Sequence, residues 1–271
     1  MLRRIGAPLV ALTLALFLPA TALTDVLEEV RERGSLRIGV SAFVPWTFRN
    51  TDGALEGFEI DLGQRIAQDI GVEVEFVEVP FAEIMAKLNA GDIDMIAAGM
   101  AITPERALEI NFTRPYFESG VTLATNTAAT AGIDSLQAVN AAEVSIAVVE
   151  GTLAAGLAAR LFDEATIVTF PDSEAARAAV LSGDAPIYLA SVPEATFFSL
   201  THPGEIDLPT GEPLVRSAAG FGVKKGEHDW RAFLDAWIVA RTADLFIPTV
   251  HSVWFESIDW ADRVAAEAPA E

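Results

Sequence analysis

Short apolar runs alternate with helical patterns over the first hundred residues. Buried strands are predicted at residues 36–40 and 95–98, and residues 72–79 alternate apolar with acidic side chains, as a strand does. Helices are predicted at residues 58–70 and 81–90, each followed by a glycine that suits a helix end. This β-α-β-α-β order indicates parallel strands joined by helical crossovers in a three-layer α/β unit.

A second β-α alternation follows a predicted crossing strand at residues 122–127. It consists of strands at 145–149, 166–170, 187–189 and 219–223 and helices at 152–162, 173–181 and 229–243. No repeat or flexible linker separates the two halves, so we expect strands that cross between two units and a cleft at their junction. Residues 266–271 are predicted to be a frayed tail.

The N-terminus has the order of features that is typical of a secretory signal peptide. Arg3 and Arg4 precede an apolar run at residues 9–18, and Ala20 and Ala22 provide a small-x-small cleavage site. The run is too short to span a bilayer comfortably. We therefore expect a signal peptide over residues 1–22, export of the mature chain and a periplasmic location.

Composition excludes several classes of function. The 39 acidic against 18 basic residues give a net charge of −21, which argues against binding to nucleic acid or to anionic membranes. There is no cysteine, hence no disulfide, thiolate metal site, cysteine nucleophile or cysteine lipid anchor. His202, His228 and His251 lack metal-ligand spacing, and Asp92 and Asp94 are assigned to a solvated turn. We predict no catalytic residue, no metal and no cofactor.

The segment after the strand at 95–98 has the features of an anion site. Thr103 can cap a short helix that Pro104 begins, and free backbone N–H groups at a helix start favour an anion. Arg106 in the first turn can present its planar guanidinium to both oxygens of a carboxylate. Ligands of open α/β sheets bind beyond the carboxyl ends of the strands, where this segment lies.

Aromatic residues occupy two other strand-end loops. Phe43 and Phe81 are placed to contact a ligand and to exclude water. Trp46 and Phe48 lie close to Phe43 in sequence, and for them a role in the core is at least as well supported.

Several motifs, taken together, resemble a known family. They are LRIGV at 36–40, GFEIDL at 57–62, KLNAGDID at 87–94, ITPER at 102–106, NFTRPY at 111–116 and WF at 254–255. In number, order and spacing they resemble family 3 of the periplasmic solute-binding proteins, the polar-amino-acid group that includes the glutamine- and histidine-binding proteins.

The resemblance implies a two-lobed fold of the type II periplasmic-binding-protein kind. Each lobe would be a mixed, mostly parallel sheet flanked by helices, and two hinge strands would join the lobes. Lobe 1 would comprise residues 23–123 and 217–271, and lobe 2 residues 124–216. The protein would close around its solute as a monomer and deliver it to an ABC transporter permease.

Site residues follow from the same resemblance. Arg106 would grip the ligand carboxylate and Gly99 would offer its carbonyl, while Phe43 and Phe81 would sandwich the ligand. The helix start of lobe 2 would add contacts from Gly151 and Thr152.

Two positions depart from the family pattern. Ala101 stands where a serine or threonine usually adds a hydroxyl to the carboxylate. Ser191 stands where lobe 2 usually presents an aspartate to the ligand ammonium, and a desolvated cation needs an opposite charge or several acceptors. Glu150 or Glu194 could substitute, although neither occupies the family's position.

The leading hypothesis is a transport protein for a polar amino acid or a close analogue. Three alternatives stay open: a binder of organic acids without amine recognition, an enzyme resembling cyclohexadienyl dehydratases with Glu194 as its acid, and an accessory or sensor protein of the same fold.

Overall fold

The computed structural model describes residues 25–265 of the 271-residue chain. The predicted signal peptide, residues 1–22, and the predicted tail, residues 266–271, lie outside the described residues. Two β-sheets with helices packed against them form two α/β lobes, which confirms the predicted fold class. Within the described range, no helix combines the length and apolar character that crossing a membrane requires.

Along the chain, the elements form the first lobe, a crossing strand, the second lobe and a strand that leads back to the first lobe. Up to the crossing they are α1 (Val26–Arg33), β1 (Ser35–Val40), β2 (Phe48–Arg49), β3 (Leu55–Glu56), α2 (Phe58–Ile70), β4 (Glu73–Glu78), α3 (Ile84–Ala90), β5 (Met95–Ile96), α4 (Pro104–Glu109), β6 (Asn111–Phe112) and β7 (Phe117–Asn126). Then come α5 (Leu136–Val139), β8 (Ser145–Val149), α6 (Leu153–Leu161), β9 (Thr166–Phe170), α7 (Ser173–Ser182), β10 (Ile187–Ser191), α8 (Val192–Thr201), β11 (Ile206–Asp207), β12 (Val215–Ala219), β13 (Gly222–Val223), α9 (His228–Ala243) and α10 (Phe246–Phe255).

The first sheet has the strand order β4-β1-β5-β13-β6. Strand β1 is parallel to both β4 and β5, as the β-α-β-α-β pattern predicted, whereas β13 is antiparallel to its neighbours. Side chains of β1 alternate between its two faces. Ile38 lies against Gly63 of α2, whereas Gly39 approaches Ile84 of α3, so these helices cover opposite faces in the predicted three layers.

The second sheet has the order β11-β7-β10-β8-β9, with β12 also paired to β7. Strands β10, β8 and β9 are parallel, and β7 is antiparallel to β10, β11 and β12. Apolar side chains from β7, β8, β10 and α6 form a core on this sheet, and Ile146, Val148 and Leu189 in it have no exposed surface.

Two adjacent strands connect the lobes. Residues 117–121 of β7 pair with residues 215–219 of β12, and Ala219 also bridges to Ala101 of the first lobe. The chain then bends, and β13 joins the first sheet. The single strand predicted at 219–223 is therefore wrong, because Gly220 lies in the bend between two strands of different sheets.

Helices α8 and α10 were not predicted from the sequence. Phe197 and Phe198 of α8 are both buried although they are consecutive, so the helix has no single apolar face to detect. The opposite holds for α2, whose predicted bounds agree with the structure, because its apolar residues are spaced at helical intervals and Gly71 ends it in the left-handed conformation.

Asp94 is buried, which corrects its assignment to a solvated turn. Its carboxylate accepts hydrogen bonds from the backbone N–H of Arg37 at 2.8 Å and from Arg37 Nη2 at 2.6 Å, and it also pairs with Arg33. Asp92 remains exposed and pairs with Lys87 at 3.0 Å. Asp94 therefore ties the end of α1 and strand β1 to the turn before β5.

We expect Asp94→Ala to lower the free energy of unfolding by about 2 kcal/mol, because two arginines and a backbone N–H lose their shared acceptor. Asp92→Ala is the matched control and should cost less than about 0.5 kcal/mol, as exposed pairs do. Urea unfolding of both variants measures the difference. Equal losses would show that the Asp94 network does not stabilise the first lobe.

Candidate ligand-binding site

A cavity lies between the lobes, beyond the carboxyl ends of β1, β5, β8 and β10. Its empty volume is about 630 Å³, part of which is open to solvent. The first lobe, the two connecting strands and the second lobe all contribute to the lining, which consists of Phe43, Trp46, Phe81, Ala98, Gly99, Ala101, Arg106, Ser119, Gly120, Val121, Val149, Thr152, Leu153, Ala154, Tyr188, Leu189, Ala190, Ser191, Glu194, Ser217 and Ala219.

Arg106 reaches from the first lobe to the second across this cavity. Thr103 caps α4, and its Oγ1 accepts the backbone N–H of Arg106 at 3.3 Å. The guanidinium donates to the carbonyl of Ala101 at 2.7 Å through Nη1 and to the carbonyl of Gly151 at 2.8 Å through Nη2. One donor group thus bonds to backbone from each lobe.

The charge of Arg106 has no counter-ion in the part of the chain that the structure describes. None of the salt bridges within residues 25–265 includes it. Burial lowers the pKa of Arg106 to about 10, and the charge of Glu105 opposes this effect. The guanidinium therefore stays protonated at neutral pH, and a partly desolvated cation of this kind favours an anionic ligand.

The aromatic residues form one wall of the cavity. The rings of Phe43 and Phe81 are perpendicular, with centroids 5.4 Å apart, so they touch each other edge to face. A ligand does not fit between them, and in this arrangement they do not sandwich it from two sides. The Arg106 guanidinium lies 5.5 Å from the centre of the Phe81 ring, a cation–π contact that helps to orient it.

The second lobe contributes the start of a helix. Thr152 caps α6: its Oγ1 accepts the backbone N–H of Ala155 at 3.1 Å and donates to the carbonyl of Val149 at 2.7 Å. The N–H groups of Leu153 and Ala154 lie in the first turn, where a helix offers them no internal partner. Both residues line the cavity, so their N–H groups are available to an anion.

Most residues singled out from the sequence lie in the lining; these are Phe43, Phe81, Gly99, Ala101, Arg106, Thr152 and Ser191. Gly151 takes part through its carbonyl. Glu150 is exposed and does not line the cavity, because neighbouring side chains of a strand end point to opposite sides and Val149 points inward.

Glu194 lines the cavity but is bound within its own lobe. Its Oε1 accepts a hydrogen bond from the hydroxyl of Tyr188 at 2.5 Å. Burial raises the pKa of Glu194 to about 7, and hydrogen bonds from Tyr188 and Ser173 together with the charge of Arg177 lower it in part. The whole residue is only 2% exposed, so it presents little surface to a ligand.

A second buried carboxyl supports the loop that carries Gly99. Oε1 of Glu59 accepts the backbone N–H of Gly99 at 2.7 Å and the hydroxyl of Tyr116 at 2.5 Å. Within the described residues, its Oε2 is buried without a hydrogen-bond partner. Burial raises the pKa of Glu59 to about 7, and the bonds from Tyr116 and Gly99 lower it in part.

Several lining residues were missed in the sequence. Ser119 and Ser217 lie opposite each other on the connecting strands, and Tyr188 comes from β10. The pairing of β7 with β12 joins residues about a hundred positions apart, and no local signal reveals it. No cluster of three or more histidine, cysteine, aspartate or glutamate side chains suited to a metal occurs in residues 25–265.

A family model and several relatives of this chain belong to the same class of solute-binding proteins. A family model described as bacterial extracellular solute-binding proteins, family 3, matches residues 36–257. The L-cystine-binding protein TcyJ of Escherichia coli is 32% identical over 117 residues, which is 43% of this chain and 44% of that protein, so this match spans less than half of either. The ABC transporter glutamine-binding protein GlnH of Bacillus subtilis is 27% identical, over 86% of this chain and 85% of that protein.

One relative is an enzyme. Cyclohexadienyl dehydratase of Pseudomonas aeruginosa is 23% identical, over 78% of this chain and 79% of the enzyme. Among solved structures, the ancestral amino acid-binding protein AncCDT-1, a precursor of cyclohexadienyl dehydratase, has a TM-score of 0.79 and 29% identity, covering 86% of this chain and all of that one. The fold is that of the type II periplasmic binding proteins.

The buried carboxyl of Glu59 gives a pH prediction. Its folded pKa of about 7 exceeds its ordinary value of 4.5, so the folded protein binds this proton more tightly than the unfolded chain. The associated stability is fully present below about pH 4.5 and is lost as the pH rises through about 7; it amounts to about 3 kcal/mol.

Glu59→Gln should therefore flatten part of the fall in melting temperature between about pH 5 and about pH 8, because the amide keeps an acceptor for Gly99 without titrating. Glu194→Gln is the matched comparison, because burial also raises the pKa of Glu194 to about 7. Calorimetry across this range measures both slopes. A Glu59→Gln profile parallel to that of the unmodified protein would mean that Glu59 does not titrate as described.

Proposed function

The chain belongs to family 3 of the bacterial extracellular solute-binding proteins, and we propose that it binds a small carboxylate-bearing solute between its lobes and delivers it to an ABC transporter permease. Of the described residues, we assign 25–123 and 217–265 to lobe 1 and 124–216 to lobe 2. The protein acts as a periplasmic monomer after removal of residues 1–22.

The observation that carries this proposal is the geometry of Arg106. Its guanidinium stays charged, pairs with no carboxylate of the described residues and bonds to one carbonyl on each side of the cavity. A ligand carboxylate at this position would bond to Arg106 and to the N–H groups that begin α6. It would thus contact both lobes at once, which makes binding favour the closed arrangement.

The names of related proteins support a role in transport, although they do not identify the ligand of this chain. Relatives named for binding cystine and glutamine match this chain, and the latter is named as part of an ABC transporter. A thermal-shift panel of amino acids, 2-oxo acids and dicarboxylates tests the proposal, with primary amines that lack a carboxylate as the negative set. Stabilisation should appear only with carboxylates and should grow with their concentration.

Glu194 gives one reason to test a second function. A desolvated carboxyl with a pKa of about 7 lines the cavity, and one relative is a dehydratase. Incubation with prephenate or arogenate would reveal that activity as product formation. Product that appears with the unmodified chain and is lost in Glu194→Gln would favour the enzyme over the transporter component.

We expect Arg106→Ala to weaken carboxylate binding about 100-fold, because two charge-assisted hydrogen bonds to the ligand are lost. Arg160→Ala is the matched control. Arg160 is exposed and close enough to contribute to the lowered pKa of Glu105, but it is not part of the lining. It should leave affinity nearly unchanged. Calorimetric titration measures both, and equal affinities would remove Arg106 from the site.

Closure depends on a glycine in the second lobe. Gly151 has a φ of +74°, and a Cβ there would lie 2.9 Å from the Cα of Ala82 in the first lobe. Gly132 has a similarly positive φ of +96° but open space around it. An alanine at either position would be strained by the positive φ, whereas the close contact with the other lobe would arise at Gly151 and not at Gly132.

Gly151→Ala should weaken ligand binding about tenfold or more, because the added methyl group opposes the close approach of the lobes. Gly132→Ala should lose comparable stability and keep its affinity. Unfolding and titration experiments on both variants separate the two effects. Unchanged affinity in Gly151→Ala would mean that binding does not need this contact.

A further inference from the structure

The cavity offers a ligand few charged groups. Among residues 25–265, the charged side chains in the lining are those of Arg106 and Glu194. The others are glycines, apolar or aromatic residues, and residues with a hydroxyl group. A solute that fills this space therefore needs one negative charge for Arg106 and is otherwise surrounded mainly by apolar surface.

The carboxyl of Glu194 is not available as a counter-ion for a ligand cation. Tyr188 donates to its Oε1, Ser173 also hydrogen-bonds to it, and the charge of Arg177 acts on it from within the same lobe. These hydrogen bonds and this charge, all from lobe 2, therefore hold the carboxyl within its own lobe. Only 2% of the residue is exposed.

The remaining polar lining groups are neutral. The hydroxyls of Thr152 and Tyr188 already donate within lobe 2. Ser191 begins α8 without a side-chain capping bond, and Ser119 Oγ is buried without a partner in the described part of the chain. These hydroxyls can donate to an oxygen or accept from an N–H group, but none of them supplies the negative charge that best stabilises an ammonium leaving water.

We propose that the solute is a monocarboxylate with an apolar body whose α position carries a keto oxygen or hydrogen in place of an ammonium. This inference rests on the proposed function, because it takes Arg106 as the carboxylate site. A keto oxygen would accept a hydrogen bond from the hydroxyl of Ser191, whereas an ammonium has no lone pair with which to accept it. The aromatic wall of Phe43 and Phe81 and the side chains of Val121 and Leu153 would cover the apolar body.

Two series of ligands with a shared carbon skeleton test the inference. One is leucine, 4-methyl-2-oxopentanoate and 4-methylpentanoate; the other is phenylalanine, phenylpyruvate and 3-phenylpropanoate. Calorimetric titration of the full mature chain should give at least about tenfold tighter binding of the oxo or deaminated acid than of the amino acid in one series.

Ser191→Asp tests the same point from the protein side. Aspartate is well suited to a helix N-cap, so the variant should fold. The added charge should raise affinity for the amino acid and lower affinity for its oxo analogue. Ser191→Asn is the matched control, because it has the same shape without the charge, and it should keep the preference of the unmodified protein.

The outcomes separate this inference from the proposed function. Tighter binding of the amino acid, lost in Arg106→Ala, would overturn the inference and leave the proposed function standing. Failure of all six carboxylates to bind, or binding that is indifferent to Arg106→Ala, would count against both.

Discussion

The hydrogen bonds of one guanidinium group connect the two halves of this molecule. Arg106 donates to Ala101 in its own lobe and to Gly151 in the other, and it remains a cation without a carboxylate partner among the described residues. A partly desolvated positive charge is costly unless an anion completes it. In the proposed function, the ligand carboxylate is that anion. Its contact with Arg106 would therefore set the charge and position of the ligand and favour the approach of the lobes.

The surroundings of Arg106 are built to hold this geometry. Thr103 and Pro104 set the start of α4, and the carboxyl of Glu59 holds the N–H of Gly99 from below. The buried carboxyls of Glu59 and Glu194 each accept a tyrosine hydroxyl, so each lobe has one acid–tyrosine pair near the cavity. The pair of Glu59 and Tyr116 lies outside the lining, whereas Glu194 and Tyr188 belong to it.

Family membership identifies this chain as a solute-binding protein, whereas the residues that line its cavity indicate the chemistry of the solute. Relatives with this fold include binding proteins and a dehydratase, so the fold alone does not determine the ligand. In the site proposed above, a few side chains select the ligand, above all Arg106 and the neutral Ser191. A cavity with one cation and an apolar wall selects its ligand in two ways. It binds a carboxylate, and it disfavours a ligand whose second charge would be buried without a partner.

Local sequence signals were sufficient to predict several helices and strands and part of the candidate site. Periodic apolar spacing and glycine stops predicted α2 and the β-α-β-α-β order, and the capped turn before Arg106 predicted an anion site, because these signals act within a few residues. Four other features became visible only in three dimensions: the pairing of β7 with β12, the burial of Asp94, the outward direction of Glu150 and the contact between Phe43 and Phe81. These depend on residues far apart in the chain, whose distances are set by packing between elements and not by local spacing.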